Sequence, residues 1–124
     1  MPYPERLIHR TRSGIWVRSK SEVIVAGILE NLGLSYEYER RLEDPENPKY
    51  GRLPDFTIFH KGDVYYWEHL GMLDQTTYAQ RWKKKLAWYE AKGLAARLIV
   101  SEDGTGGSID EIQIERLARR RILL

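Results

Sequence analysis

The chain has 124 residues, a formal net charge of +2 and no cysteine. This length suits one domain with a modest core, so residues 1–124 are interpreted as a single domain. The lack of cysteine excludes a disulfide framework and a thiolate zinc site. No apolar run is long enough for a membrane-spanning helix or a signal peptide. We therefore expect a cytoplasmic protein with no membrane partner.

The first 18 residues form a basic arm. Its positive side chains include Arg12 and Arg18, opposed by the single acid Glu5. Such a cluster predicts contact with phosphate groups. The alternative is a solvent-exposed arm in which residues 15–17 form a short strand.

A first helix is predicted from Ser19 to Gly33, since apolar residues recur at helical spacing. Ser19 and Glu22 match a capping box, which by itself explains Glu22. Residues 34–40 alternate with period two and predict a strand whose Glu37 and Glu39 face solvent. The turn-forming stretch that follows, up to Gly51, predicts a loop.

Residues 53–60 and 63–70 are β-rich runs that flank the dipeptide Lys61-Gly62, a pattern typical of a hairpin. With a two-residue turn, Asp55 lies opposite Glu68. Directly opposed carboxylates repel one another, so the pair predicts a divalent cation, Mg²⁺ or Mn²⁺. The alternative is two solvated acids, and a three-residue loop would separate them.

A second helix is predicted from the N-cap Asp74 to about Gly93. It carries an aromatic and apolar stripe, which predicts a buried face in preference to a base-stacking platform: Tyr78, Trp82, Leu86 and Tyr89. Basic side chains interleave with the stripe and could follow a phosphate backbone: Arg81, Lys83, Lys84 and Lys85. Residues 95–100 predict a buried strand, residues 101–107 a flexible turn, and Ser108 with Glu111 the capped start of a final helix.

Several of these motifs together resemble the PD-(D/E)XK nuclease superfamily. They are residues 18–22, Pro54-Asp55, and residues 67–72 with Tyr78. The Trp-Glu-His-x-Gly-Met motif is similar to a branch found alone or appended to helicase-like proteins. The resemblance implies a restriction-endonuclease-like fold of the α/β class. Its αβββαβ core has a mixed central β-sheet flanked by helices.

The resemblance also implies a function, a metal-dependent endonuclease that hydrolyses phosphodiester bonds in DNA with Mg²⁺ or Mn²⁺. Asp55 and Glu68 would bind the cation, with Glu22 as a further catalytic carboxylate and metal ligand. His69 would bind through its main-chain carbonyl, its imidazole pointing to the opposite face of the strand from Glu68. A homodimer would be needed to cut both DNA strands at once. A functional link to helicase-like proteins is expected.

The chain departs from the family pattern at Leu70, where the motif has a lysine that orients or activates water. Lys20 and Lys85 are the predicted substitutes, and Lys20 is preferred. Nucleic-acid contacts are predicted for five basic residues: Arg12, Arg18, Lys20, Lys84 and Lys85.

Two other function classes stay open. A non-catalytic nucleic-acid-binding module of the same fold would tolerate the missing lysine. A protein-interaction domain would instead use the four tryptophans, Trp16, Trp67, Trp82 and Trp88.

Overall fold

The computed structural model describes residues 3–124, so residues 1 and 2 of the predicted basic arm lie outside the described part. After a 3₁₀ turn at Pro4–Arg6, strand β1 (His9–Arg10) pairs antiparallel with strand β2 (Trp16–Val17). The predicted short strand in the arm is therefore confirmed. No helix in residues 3–124 combines the length and apolar character needed to cross a membrane.

The remaining regular elements follow in chain order. They are α1 (Lys20–Asn31), β3 (Ser35–Tyr38), β4 (Leu42–Glu43), β5 (Gly51–Arg52), β6 (Phe56–His60), β7 (Asp63–Leu70), α2 (Thr76–Ala91), β8 (Leu98–Glu102) and α3 (Glu111–Ala118). A π-helical turn, Arg119–Leu123, extends α3. The minor pair β4–β5 braces the loop that was predicted there.

Four strands form the central sheet in the order β3-β6-β7-β8. Strand β6 is antiparallel to β3 and β7, whereas β7 is parallel to β8 because α2 connects them. The predicted mixed α/β architecture, a mixed sheet flanked by helices, is confirmed.

The β6–β7 hairpin has the predicted register. His60 pairs with Asp63, and the two turn residues have positive φ, 50° at Lys61 and 82° at Gly62. Positive φ at both positions is the type I′ requirement that matches the twist of the strands. The ladder ends at the pair Phe56 and Trp67, one pair before Asp55 and Glu68.

The two faces of the sheet pack against different helices. On one face, Phe56, Ile58 and Trp67 join apolar residues of α1 and α3 in the main core. On the other face, the Tyr66 and Tyr89 rings lie 6.2 Å apart, which places α2 there. Since successive strand residues point to opposite faces, Glu68 lies on the α2 side of β7.

Helix α1 begins where it was predicted, with the Ser19 side chain accepting the Glu22 N–H. The predicted start residues of the later helices were wrong. Asp74 does not cap α2, whose N-cap is Gln75 without a side-chain hydrogen bond. Asp110, rather than Ser108, caps α3 by accepting the Gln113 N–H, because it lies next to the first helical turn.

Two strand predictions also need correction. Residues 95–97 form a 3₁₀ turn, and β8 extends to Glu102 because parallel pairing with β7 continues to Leu70. Glu39 does not face solvent as predicted. Its carboxylate accepts both Arg18 Nε, at 2.5 Å, and Arg18 Nη2, at 2.9 Å, and its side chain is 8% exposed.

Candidate active site

A cleft of about 380 Å³ opens where β6 begins and β7 ends, beneath helix α2. Its lining residues are Arg6, Asp55, Glu68, His69, Leu70, Met72, Tyr78, Arg81, Trp82 and Lys85. A second cleft, of about 450 Å³, adjoins it and is lined by Asp55 together with Glu22 and Asp103. Asp55 therefore lies at the junction of the two clefts.

Beyond the last β6–β7 pair, the Asp55 side chain takes the place of a backbone acceptor for β7. Its Oδ2 accepts the backbone N–H of His69 at 2.7 Å, and its own C=O accepts the N–H of Glu39 at 3.1 Å. Burial raises the pKa of Asp55 well above its ordinary value, and the negative charges of Glu68 and Glu22 raise it further. Asp55 and Glu68 thus line one cleft and repel each other electrostatically.

Glu68 is buried, with 3% exposure, and two of its protein donors come from α2. Its Oε2 accepts the Tyr89 hydroxyl at 2.6 Å and lies 2.7 Å from Lys85 Nζ. Burial raises the pKa of Glu68, while the Lys85 ammonium opposes that rise. Lys85 also donates to the C=O of Leu53 at 2.9 Å, so this lysine links α2 to the segment before Asp55.

Glu22 has the structural role that capping predicts and also lines the second cleft. Its Oε1 accepts the Arg18 N–H at 3.2 Å and the Ser19 hydroxyl at 3.3 Å, and the Tyr38 hydroxyl bridges both carboxylate oxygens. In a standard capping box Glu22 would accept the N–H of the N-cap residue Ser19. Here it accepts the N–H of Arg18, one residue earlier. Burial raises the pKa of Glu22, and the Tyr38 hydrogen bond opposes that rise.

The His69 imidazole lies on the opposite face from Glu68, as predicted. Its Nδ1 is 2.7 Å from Ser101 Oγ, and its Nε2 is 2.7 Å from Asp103 Oδ1. Ser101 Oγ also accepts the indole N–H of Trp67, and Asp103 Oδ1 accepts the Ser21 hydroxyl. These hydrogen bonds connect β7 to β8 and to the start of α1. It therefore holds the His69 N–H that positions Asp55.

The structure separates the five predicted nucleic-acid contacts. Lys85 lines the first cleft, whereas Lys84 is exposed beside it on α2 and Lys20 is exposed at the first position of α1. Lys20 forms no ion pair within residues 3–124. Arg18 lines the second cleft, but its guanidinium is ion-paired with Glu39.

Arg12 is not brought to either cleft. It is exposed and lies 3.4 Å from the Asn31 side chain, at the last residue of α1. Glu22 is in the first turn of the same helix, about 13 Å away along its axis at 1.5 Å per residue. Arg12 is thus at the opposite end of α1 from the acidic residues.

The oxygen atoms of the acidic pair suit a hard divalent cation. The His69 N–H contacts Asp55 Oδ2, and the Tyr89 hydroxyl and Lys85 Nζ contact Glu68 Oε2. The Asp55 backbone N–H also stabilises the charged Glu68 carboxylate. Mg²⁺ prefers one or two carboxylates and completes its shell with water and substrate oxygens. The described residues hold no cluster of three or more His, Asp or Glu able to bind a metal. The pair therefore fits an open Mg²⁺ site better than a closed structural one.

Sequence reasoning missed Asp103 and did not place Arg6, Arg81 or Tyr89 beside the acidic pair, although Arg81 was named as a possible phosphate contact. Arg6 belongs to the 3₁₀ turn and lines both clefts, and Asp103 reaches the second from the loop after β8. Tyr89 and Arg81 belong to α2. They lie four residues on either side of Lys85, which is the spacing of one helix face. That spacing was the available signal, but it becomes decisive only once Lys85 is placed in the cleft.

A pH dependence of stability follows from Asp55. Because its pKa is raised, the folded chain keeps a proton that the unfolded chain releases above about pH 4. Its stabilising contribution is therefore present at low pH and lost as the pH rises through the folded-state pKa. Urea unfolding in EDTA should show the free energy of unfolding of wild type falling relative to that of Asp55→Asn between about pH 4 and pH 8. A difference that does not change with pH would contradict this assignment.

Comparison with known proteins places one segment of the chain inside a much larger protein. An 85-residue segment, 68% of this chain, is 36% identical to a protein of Methanocaldococcus jannaschii that is described as uncharacterized. The match covers 7% of that protein, so this chain spans less than a tenth of its relative's length. No family model and no solved structure matches the chain.

Proposed function

We propose that this protein is a Mg²⁺-dependent endonuclease acting on DNA, with a restriction-endonuclease-like αβββαβ core. The observation that carries the proposal is the acidic pair beside a lysine. Asp55 and Glu68 line one cleft, the hydrogen bonds from His69 and Tyr89 each fall on a single carboxylate oxygen, and Lys85 Nζ lies 2.7 Å from Glu68. Acidic oxygens with a nearby ammonium group are the parts that phosphodiester hydrolysis requires.

In this proposal Asp55 Oδ1 and Glu68 Oε1 are the metal ligands, and the main-chain carbonyl of His69 is a further candidate. When bound, the cation would supply a water of lowered pKa and positive charge for the transition state. Glu22 bonds several protein donors and is assigned mainly to holding the start of α1 in place. The two carboxylates would hold the cation, which would supply the positive charge that orients the scissile phosphate.

Lys85 would take the role of the lysine that Leu70 replaces in the motif. It reaches the cleft from α2, and Glu68 and the Leu53 carbonyl hold its ammonium group in place. From there it can orient the attacking water and neutralise charge on the phosphate. Within residues 3–124 Lys20 has no such contact, so Lys85 is the better candidate.

Arg6 and Arg81 supply further positive charge at the mouth of the cleft. One arginine guanidinium can donate two parallel hydrogen bonds to a phosphate group. Both side chains therefore suit contacts with the DNA backbone on either side of the cut. The relative from Methanocaldococcus jannaschii contains the matched segment within a much longer chain. This supports the view that the segment also occurs as part of larger proteins, and a link to helicase-like proteins stays part of the proposal.

A second candidate function is a nucleic-acid-binding module without catalysis. The ion pair between Lys85 and Glu68 already compensates one carboxylate, and the His69 N–H holds the other. These contacts can stabilise the acidic pair without a cation. Such a module would bind DNA equally well in Mg²⁺ and in EDTA and would not cut it.

The test is incubation with supercoiled plasmid, single strands and branched DNA in Mg²⁺, Mn²⁺ or EDTA. The proposal expects cutting in either metal and none in EDTA. A monomer with one site should nick the plasmid, whereas a homodimer should also linearise it. Binding without cutting on every substrate would favour the second candidate, and cutting in EDTA would exclude the metal site.

A further inference from the structure

Within residues 3–124, Trp82 differs from the other three tryptophans because neither its ring nor its indole N–H has an aromatic, cationic or hydrogen-bond partner. Trp16 lies under Arg10 and Trp88 under Arg52, while the indole N–H of Trp67 binds Ser101. Within residues 3–124, the ring of Trp82 has no aromatic or cationic partner and its N–H has no acceptor. A half-buried indole in a cleft, with both its ring face and its N–H unused, is available to a ligand.

Trp82 belongs to a single face of α2 that forms one wall of the first cleft. The residues of this face that line the cleft are Tyr78, Arg81, Trp82 and Lys85, at positions i, i+3, i+4 and i+7. The opposite wall carries Asp55 and Glu68, and Met72 adds an apolar contact from the loop. Along the axis of α2, Trp82 thus lies between Arg81 and Lys85, and it lines the same cleft as the acidic pair.

Cationic and aromatic side chains on one helix face suit the phosphate and the base of one nucleotide in a single strand. Phosphate groups pair with arginine and lysine, and a base stacks on an aromatic ring that is free on one side. A base within a duplex is stacked on both faces and cannot offer itself to Trp82 without being unstacked. A duplex could therefore use the cations but not the indole.

We propose that the cleft takes single-stranded DNA, with an unpaired base stacked on Trp82 and its neighbouring phosphate bound by Arg81. The inference rests on the proposed nucleic-acid function of this cleft and adds the substrate class. It predicts that cleavage occurs at single strands, flaps or frayed ends, where bases next to the scissile bond are already unpaired.

The experiment measures binding in EDTA, so that it does not depend on cutting. Fluorescence anisotropy would compare an oligothymidine of about 20 nucleotides, longer than one module's site, with a duplex and with an abasic strand of equal length. Wild type should bind the oligothymidine most tightly, and its tryptophan fluorescence should be quenched when the strand binds. Trp82→Ala should weaken that binding by about tenfold or more, and Trp82→Phe should keep most of it.

The abasic strand separates stacking from charge, because it keeps the phosphates and lacks the bases. Trp82→Ala should bind it as wild type does, while Arg81→Ala should weaken the binding of every strand. Trp16→Ala is the matched control, since Trp16 is 51% exposed and lies outside the cleft. Unfolding midpoints of each variant would show that the fold is intact.

Equal affinity for duplex and single strand would overturn the inference, as would unchanged binding by Trp82→Ala or no binding to any strand. Single-strand binding that is unchanged in Trp82→Ala, together with plasmid cutting by wild type, would refute this inference alone and leave the nuclease proposal standing. Selective single-strand binding without cutting in any metal would refute the nuclease proposal and leave this inference standing.

Discussion

Replacing Asp55 with asparagine should abolish cleavage and at the same time make the metal-free protein more stable at pH 8. We expect a loss of roughly 1,000-fold or more in rate, about 4 kcal/mol of transition-state stabilisation, because an amide is a poor ligand for Mg²⁺. Stability should rise because Asp55 is repelled by Glu68 and Glu22 and its raised pKa marks a carboxylate that costs folding energy when charged. Plasmid cleavage and urea unfolding in EDTA measure the two effects.

The control for this substitution is Asp63→Asn, at the exposed start of β7 next to the hairpin turn, where Asp63 pairs with Arg97. Its cleavage rate should match that of wild type, because surface ion pairs contribute little. An Asp55→Asn protein that cuts at a tenth of the wild-type rate or better would contradict the metal role. A less stable variant would contradict the electrostatic account of the acidic pair.

Replacing Lys85 with methionine should lower the cleavage rate by about 100- to 10,000-fold, the usual contribution of a group that orients or activates water. Methionine keeps most of the aliphatic volume and removes the ammonium group from Glu68. Lys84→Met is the matched control, as Lys84 is exposed on the next position of α2. Single-turnover cleavage, with DNA binding measured in Ca²⁺, would separate a catalytic loss from a binding loss.

The same assay decides between the two candidate lysines. Lys20→Met should retain nearly full activity, since Lys20 has no ion pair with the acidic residues within the described chain. Lys85→Arg should restore DNA binding and charge at Glu68 but recover only part of the rate, because arginine does not release a proton. A large loss of cleavage rate in Lys20→Met, with full activity in Lys85→Met, would assign the role of the motif lysine to Lys20.

The hairpin and its acidic pair could be predicted because they depend on local rules. A turn with Gly62 fixes the register, and the strand period then determines which side chains face each other. The opposite orientation of His69 and Glu68 followed from the same period. Helix α1 was also predictable, because the Ser19 cap and the apolar spacing are properties of neighbouring residues.

Features that depend on how elements pack could not be predicted from the sequence. Lys85 reaches Glu68 only because α2 lies across that face of the sheet, and Leu70 gave no indication of which lysine would replace the motif lysine. Glu39 alternates like a solvent-facing residue, yet it binds Arg18 from a segment 21 residues away. The length of β8 was missed because parallel pairing with β7, rather than local composition, extends it to Glu102.

Titration with Mn²⁺, followed by its paramagnetic resonance signal, tests the cation directly without requiring a substrate. We predict that wild type binds Mn²⁺ at a site that Mg²⁺ competes for and that is lost in both Asp55→Asn and Glu68→Gln. Asp63→Asn should bind as wild type does. Binding that persists in both carboxylate variants, or a wild type that binds no Mn²⁺ even with DNA present, would contradict the shared metal site.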